Sequence, residues 1–509
     1  MRLYPTTDIA RVKPGGPLPR VHRRGVGGRR IRERSVVALT AAAMLGACSR
    51  PADMDARMLS EWMRTLYGAI RVERLSPPVA SRILVYATAA LYSGLASTDP
   101  RMPPLAGRLN GLRELPRPES ARRYDGSLVA VAAERVVLDS LLREALPTTR
   151  AAFTRLADSL SISRAAAGVD EAVRSQSADL GIRIGLAIVA WSRTDGFDGT
   201  RGRRYVPPPG PGLWVNDAPA NTYAAQNLSG ASEFVALDNP ANLLQAGSAS
   251  DRGLILNRPK GAGLATLPPV NIAGASEPYW GQLRPFALER WDECPVPTPP
   301  AYSTDTGSVF YHDARKVHAT RISLTPDQRS VALYWADNAG ESGTPPGHWI
   351  AIASQMVSQQ QLSVPKAARL MILTAVAQAD AFIAAWGYKY HHNLIRPRTY
   401  IRSAIDSAWE PLIPTPPFPE YPSGHSAQSA AAAAVMTTLI GDVPFDDSTS
   451  ISIGHAVRRF KSFREAAAEA GMSRVYAGIH FPFGNTGGRA LGECIGARVV
   501  ERFQAGRAP

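Results

Sequence analysis

The chain has 509 residues, 45% of them hydrophobic, and a formal net charge of +14 at neutral pH. That is enough apolar material for one large core or two smaller ones. The charge is uneven: residues 1–47 hold ten Lys/Arg against two Asp/Glu, and the rest of the chain carries +6. No basic tract interleaved with aromatics follows, so the charge does not point to a nucleic-acid partner.

Residues 1–47 read as a targeting leader. Arg29, Arg30, Arg32 and Arg34 precede the apolar run Val36 to Ala47, which ends in Leu45-Gly46-Ala47-Cys48. This tetrapeptide resembles the lipobox of bacterial lipoproteins, in which the cysteine is lipidated and becomes the mature N-terminus. It predicts an exported protein, periplasmic or anchored to a membrane through Cys48; an ordinary signal peptide is the alternative. The basic part is long for a signal, which fits either a start too far upstream or a twin-arginine signal at Arg29-Arg30. No later segment offers about 18 consecutive uncharged apolar residues. Residues 48–509 are expected to form a single helical domain. Cys294 and Cys494 are either a pair formed in an oxidising compartment or two separate buried thiols, and the second is the expectation.

From Ala52 to about Asp195 the text is helical. Ser76-Pro77-Pro78 is a start signal, and Val79, Ile83, Leu84, Ala87, Ala90 and Leu91 follow at helical spacing. Leu128–Leu146 and Ala167–Trp191 repeat the pattern. Asp195 and Asp198 read as parts of a solvated glycine-rich turn. Residues 200–300 are Pro/Gly/Asn/Ser-rich with few periodic runs, which predicts an irregular layer over the helical core, pinned by Trp280, Phe286 and Trp291. Thr325-Pro326 opens a helix through Trp335, and Val364-Pro365 opens a long one to about Tyr388. Further helices are expected at Ala427–Ile440, Ala456–Ala470 and Gly488–Phe503. The predicted class is all-α, with a core of motifs at about 364–503.

Three stretches carry the chemistry. Lys389 and Arg396 stand seven residues apart at the end of the long helix, and Pro397 then ends regular helix. Phe418-Pro419-Glu420-Tyr421-Pro422-Ser423-Gly424-His425 places a hydroxyl, a bare backbone N–H and an imidazole at a helix N-terminus. Unpaired N–H groups and the helix dipole favour anions there. Arg474 and His480 follow in Ser473-Arg474-Val475-Tyr476-Ala477-Gly478-Ile479-His480. Three cations, a hydroxyl, a glycine N–H and two imidazoles suit a tetrahedral oxyanion such as phosphate or vanadate. His391 and His392 read as helix-end residues, not a metal pair.

In order and spacing, these elements resemble the superfamily of vanadium-dependent haloperoxidases and type 2 phosphatidic acid phosphatases (PAP2), most closely its bacterial chloroperoxidase-like branch. The resemblance implies a haloperoxidase/PAP2-like helical bundle. It implies that Lys389, Arg396, Ser423, Gly424 and Arg474 hydrogen-bond a vanadate cofactor. His480 would be the metal ligand, or the phosphorylated nucleophile with phosphate in the same site, and His425 the acid–base residue. Hydrogen peroxide and halide would be the substrates, with Lys389 polarising the peroxide; in the phosphatase reading the substrate is a phosphomonoester. Trp386 and Phe418 fall where fungal-type chloroperoxidases place aromatics of the halide pocket. A third reading is an inactive oxyanion-binding protein, because one residue departs from the pattern. Gly484 stands four residues after His480, where the family usually has an aspartate that steadies the histidine ring. Asn485 or a backbone carbonyl is the expected substitute.

Overall fold

The computed structural model describes residues 56–201, 203, 205–216 and 275–506. The leader with Cys48, and residues 217–274 of the expected irregular layer, lie outside the described residues. The class is all-α, as the sequence predicts, with one two-stranded sheet among the described residues.

Five helices open the described chain: α1 (Arg57–Val72), α2 (Pro77–Ala96), α3 (Gly126–Leu141), α4 (Pro147–Ala166) and α5 (Glu171–Ser192). Their starts follow local chemistry. Prolines occupy the first turns of α2 and α4, and Asp125 and Asp170 accept the backbone N–H groups of Leu128 and Val173 as N-caps of α3 and α5. A single turn, α6 (Phe197–Thr200), follows. Asp195 is not the solvated turn residue expected. It is buried, and accepts from Arg82 Nε (2.6 Å) and the Tyr86 hydroxyl (2.8 Å), because the turn folds back onto α2. Asp198 is exposed, as read.

The second half holds α7 (Val309–Ile322), α8 (Pro326–Tyr334), α9 (Thr344–Gln359), α10 (Val364–His392), α11 (Pro397–Ala404), α12 (Gly424–Ile440), α13 (Phe463–Tyr476) and α14 (Pro482–Ala505). Where Ala456–Ala470 reads as helix, the chain instead makes strand β2 (Arg458–Phe460), antiparallel to β1 (Phe445–Asp447). Helix α13 starts only after Ser462, whose hydroxyl caps the N–H of Glu465. Pro397 does not simply end helix: Arg396 is the N-cap of α11 and Pro397 its first residue, a position that suits proline.

Helix α10, 29 residues long, is the axis of the fold. It packs against α2, α9, α12 and α14, and one hydrophobic cluster joins α1 to α5, residues 275–296, α10, α12 and α14. Helices α2 and α10 are long and apolar enough to cross a membrane, yet 94% of each apolar window is buried against protein. They are core helices of the bundle.

The described flanks of the irregular layer, residues 203–216 and 275–300, wrap this core with a single 3-10 turn at Trp280–Gln282. Trp280 and Phe286 are fully buried. Gly281 lies directly on the Gly387 backbone of α10 with no room for a Cβ, and a Cβ on Gly387 would strike the Trp291 ring. The buried carboxylate of Asp380 accepts the N–H groups of Phe286, Ala287 and Leu288 (2.6, 2.8 and 3.0 Å). Cys294 and Cys494 are joined as a disulfide, Cα–Cα 5.9 Å, and are not separate thiols. The layer runs along α14 at that point, a contact between residues 200 apart that sequence spacing does not reveal.

Candidate active site

The end of α10 presents Lys389 inward and fully buried. Its Nζ donates to the carbonyls of Pro419 (2.9 Å) and Glu420 (2.8 Å). Burial, then the charge of Arg396, holds the Lys389 ammonium well below its ordinary range, with Glu420 opposing. Asn393 closes α10 in the left-handed conformation (φ 51°), so three residues turn the chain and set Arg396 beside Lys389. Arg396 donates from Nε to the Phe418 carbonyl (2.7 Å) and from Nη1 to the Ile479 carbonyl (2.8 Å).

Ser423 is the N-cap of α12, its hydroxyl accepting from the N–H of Ser426 (3.3 Å). Gly424 opens the helix against the Trp386 ring: a Cβ there would lie 3.1 Å from the indole. The bare backbone therefore forms a cradle that any side chain would crowd. His425, one residue on, points into the cavity, its Nε2 2.9 Å from Arg474 Nη1. Backbone hydrogen bonds to Trp335 and Ala336 also hold the ring. Burial and the Arg474 charge hold His425 well below the usual histidine range, so it is neutral at neutral pH.

Arg474 lies in the last turn of α13, fully buried, and donates to the Trp335 carbonyl (2.6 Å). After the turn at Gly478 (φ 79°) comes His480, also buried. Its Nδ1 lies 2.8 Å from Glu420 Oε1, which also accepts the N–H of Phe481 (3.0 Å). With Nδ1–H donated to a carboxylate, Nε2 keeps its lone pair and faces Arg396 Nη1 at 3.1 Å. Burial, Arg396 and Lys389 hold His480 well below its ordinary value, the neutral form a metal ligand needs.

Glu420 explains the departure at Gly484. A Cβ at position 484 would collide with the Glu420 carboxylate, its Cδ 2.8 Å away. The glutamate fills the space beside Gly484 and supplies a carboxylate to His480 Nδ1. Asn485 does not substitute: its Oδ1 accepts from the Ser426 hydroxyl at 2.6 Å. Burial raises the Glu420 carboxyl to about 7, against the pull of Lys389, Arg396 and the Phe481 amide. Sequence reading passed over Glu420 because it occupies the variable position of its motif. A surplus carboxylate beside a missing one was the signal.

A cavity of about 90 Å³ opens over these groups, with Gly424, His425, Arg474 and His480 on its floor and Trp386 and Phe418 on one wall. The two aromatic rings lie 4.9 Å apart. Lys389 Nζ lies 5.0 Å from the Phe418 ring centre, and Arg396 Cζ 4.7 Å. All nine residues singled out by sequence therefore meet at one place. His391 and His392 remain at the end of α10, where His392 packs on Tyr388 and Tyr421.

The donor set fits a tetrahedral oxyanion. Three cations and an N-terminal helix turn converge around one neutral histidine whose unprotonated nitrogen accepts from Arg396 in the same space. Lys389, Arg396, Ser423, Gly424, Arg474 and His480 are the residues that would hold such an anion.

This is a helical bundle with a cluster of buried cations and histidines at one end of α10, and the comparisons agree with the helical class. A family profile described as the VCPO second helical-bundle domain matches residues 369–507. The crystal structure of a bacterial vanadium-dependent iodoperoxidase is 31% identical with a TM-score of 0.72, covering 89% of this chain and 97% of that one. A bacterial vanadium-dependent chloroperoxidase, in holo and apo forms, shares the fold at 16% identity and a TM-score of 0.57, over 86% of this chain. No curated protein matches the chain by sequence. The chain belongs to the vanadium-dependent haloperoxidase family.

Proposed function

We propose that the protein oxidises halide with hydrogen peroxide and one proton from solvent, giving hypohalous acid and water, at a vanadate held by His480. The observation that carries this reading is the His480–Glu420 contact. It leaves Nε2 unprotonated inside a three-cation cage and supplies the carboxylate that Gly484 lacks. Bound vanadate supplies Lewis acidity toward peroxide without needing to change oxidation state. The chain's own residues do the rest. Lys389, Arg396 and Arg474, themselves buried, hold positive charge where negative charge must be stabilised. His425, neutral and at the cavity floor, accepts a proton from the incoming peroxide and returns one to the leaving water. Trp386 and Phe418 form a weakly hydrating wall for the halide beside Lys389.

The test is peroxide-dependent halogenation of a phenol reporter by the vanadate-loaded protein, with iodide and bromide, run beside hydrolysis of an aryl phosphate. Halogenation abolished by His480→Ala is the expected result. Aryl phosphate hydrolysis without halogenation would instead establish the phosphatase reading. We further propose export and lipid attachment at Cys48; loss of a fatty-acid label in Cys48→Ser would support it, and an unlabelled wild-type protein would refute it.

A further inference from the structure

A second buried polar cluster lies behind the active site, and the reaction as described does not use it. His348, in α9, is 1% exposed and stands between two buried carboxylates. Its Nδ1 is 2.9 Å from Asp337 Oδ2 and its Nε2 2.9 Å from Asp447 Oδ2. Both ring nitrogens face acceptors, so both carry protons and the ring is an imidazolium. Burial opposes the charge, but the two carboxylates together outweigh it and push His348 up to about 10. The Trp335 ring stacks on the imidazolium at 4.6 Å and the Tyr334 ring meets it edge-on at 5.6 Å.

The carboxylates tie two separate pieces of chain to α9. Asp447 ends β1 and also accepts the N–H and hydroxyl of Thr449 (3.0 and 2.6 Å). Asp337 also accepts the Ser342 hydroxyl (3.0 Å) and sits in the loop between α8 and α9, in left-handed conformation (φ 47°). Thr344, at the other end of that loop, has φ 62°. Two non-glycine residues in this region are unfavourable unless the surroundings impose them. The clasp on Asp337 supplies that restraint. One and two residues before Asp337 are Ala336 and Trp335, whose backbone holds His425, and Trp335 O accepts from Arg474. The loop also forms cavity wall at Ala336, Asp337, Asn338 and Ala339.

We propose that the Asp337–His348–Asp447 clasp is a positioning device that sets His425 and Arg474 through the Trp335–Ala336 backbone. This rests on the oxyanion reading of the site. Outer residues of this kind typically change affinity or activity about 10–100-fold when removed.

The test is Asp447→Asn, a change of charge with little change of shape at a residue outside the cavity lining. Three readouts apply: vanadate affinity by calorimetry, kcat against KM for halide, and the ring 15N shifts of His425 at fixed pH in vanadate-free protein. The expected result is roughly 10-fold weaker vanadate binding, a fall in kcat with halide KM little changed, and displaced His425 shifts. In a His425→Ala background the same substitution should lose most of its effect on kcat, because the two act in series. Arg164→Gln, which breaks the distant Arg164–Asp125 ion pair, controls for destabilisation alone. If Asp447→Asn lowers the melting temperature but leaves all three readouts at wild-type values, the clasp is structural and the proposal falls. Should that variant not fold, Ser342→Ala loosens Asp337 from the opposite side and is held to the same three readouts. The His425 shifts need neither vanadate nor turnover. A wild type that binds no vanadate would therefore overturn the proposed function, while the shifts still decide the clasp.

Discussion

Glu420 and Gly484 form a complementary pair, and each makes sense only with the other. The histidine that faces the cage needs a carboxylate on its Nδ1; Glu420 provides it, and its bulk leaves room only for glycine at 484. Glu420→Gln keeps the shape but replaces the carboxylate with an amide. Vanadate affinity should fall about 10–100-fold with little change in melting temperature. Gly484→Asp alone should not improve the protein. It drives a second carboxylate into the first, and should lower both stability and affinity. The double variant Glu420→Ala/Gly484→Asp should recover part of the loss, because it places a carboxylate in the space that Glu420 vacates. Calorimetric titration of the four proteins checks this, and a gain in affinity from Gly484→Asp alone would refute the pairing.

The helices are placed by small residues as much as by large ones. Gly484, Gly488, Gly492 and Gly496 recur every four positions on α14, so they share one face. That face lies on α12: a Cβ at Gly488 would strike the Ser423 carbonyl, and one at Gly492 would sit 2.8 Å from the Ala430 Cβ. The close approach holds the N-terminus of α12, and with it Ser423 to His425, against the His480 segment. Gly492→Val should cost about 1–3 kcal/mol by overpacking and weaken vanadate binding as well, though it touches no site residue. Melting and titration measured together check this; destabilisation with unchanged affinity would show that α14 supports the fold without setting the site. The strand at Arg458–Phe460 reads as helix in the sequence because a three-residue run is too short for either period to declare itself.

The described residues gather Lys389, Arg396 and Arg474 in one buried place, with the Glu420 carboxylate beside them. Lys389 and His425 are both held below their ordinary values, chiefly by burial and then by neighbouring cations. An anion in the cage reverses the repulsive part and raises both, so they take up protons as it binds. Vanadate affinity should therefore fall as pH rises, after correction for the anion's own ionisation. Calorimetry in buffers of different ionisation enthalpy should detect net proton uptake; proton release would contradict the electrostatics described here.

The amino-acid sequence by itself determined the helical class, and it picked out three motifs whose nine residues the fold gathers at one place. These depend on local spacing, on proline and glycine at helix ends, and on residue types whose chemistry is distinctive wherever they fall. It left the partner of His480 open, took Asp195 for a solvated turn residue, and set Cys294 apart from Cys494. It was silent on the His348 clasp. Each of those is a contact between residues 11 to 200 positions apart. No local period or cap encodes such a contact; only the packing of α2, α9, α10, α12 and α14 into one bundle brings the partners within hydrogen-bonding or bonding distance. That is why Gly484 looked like a defect in the sequence and is, in the folded chain, the space that Glu420 fills.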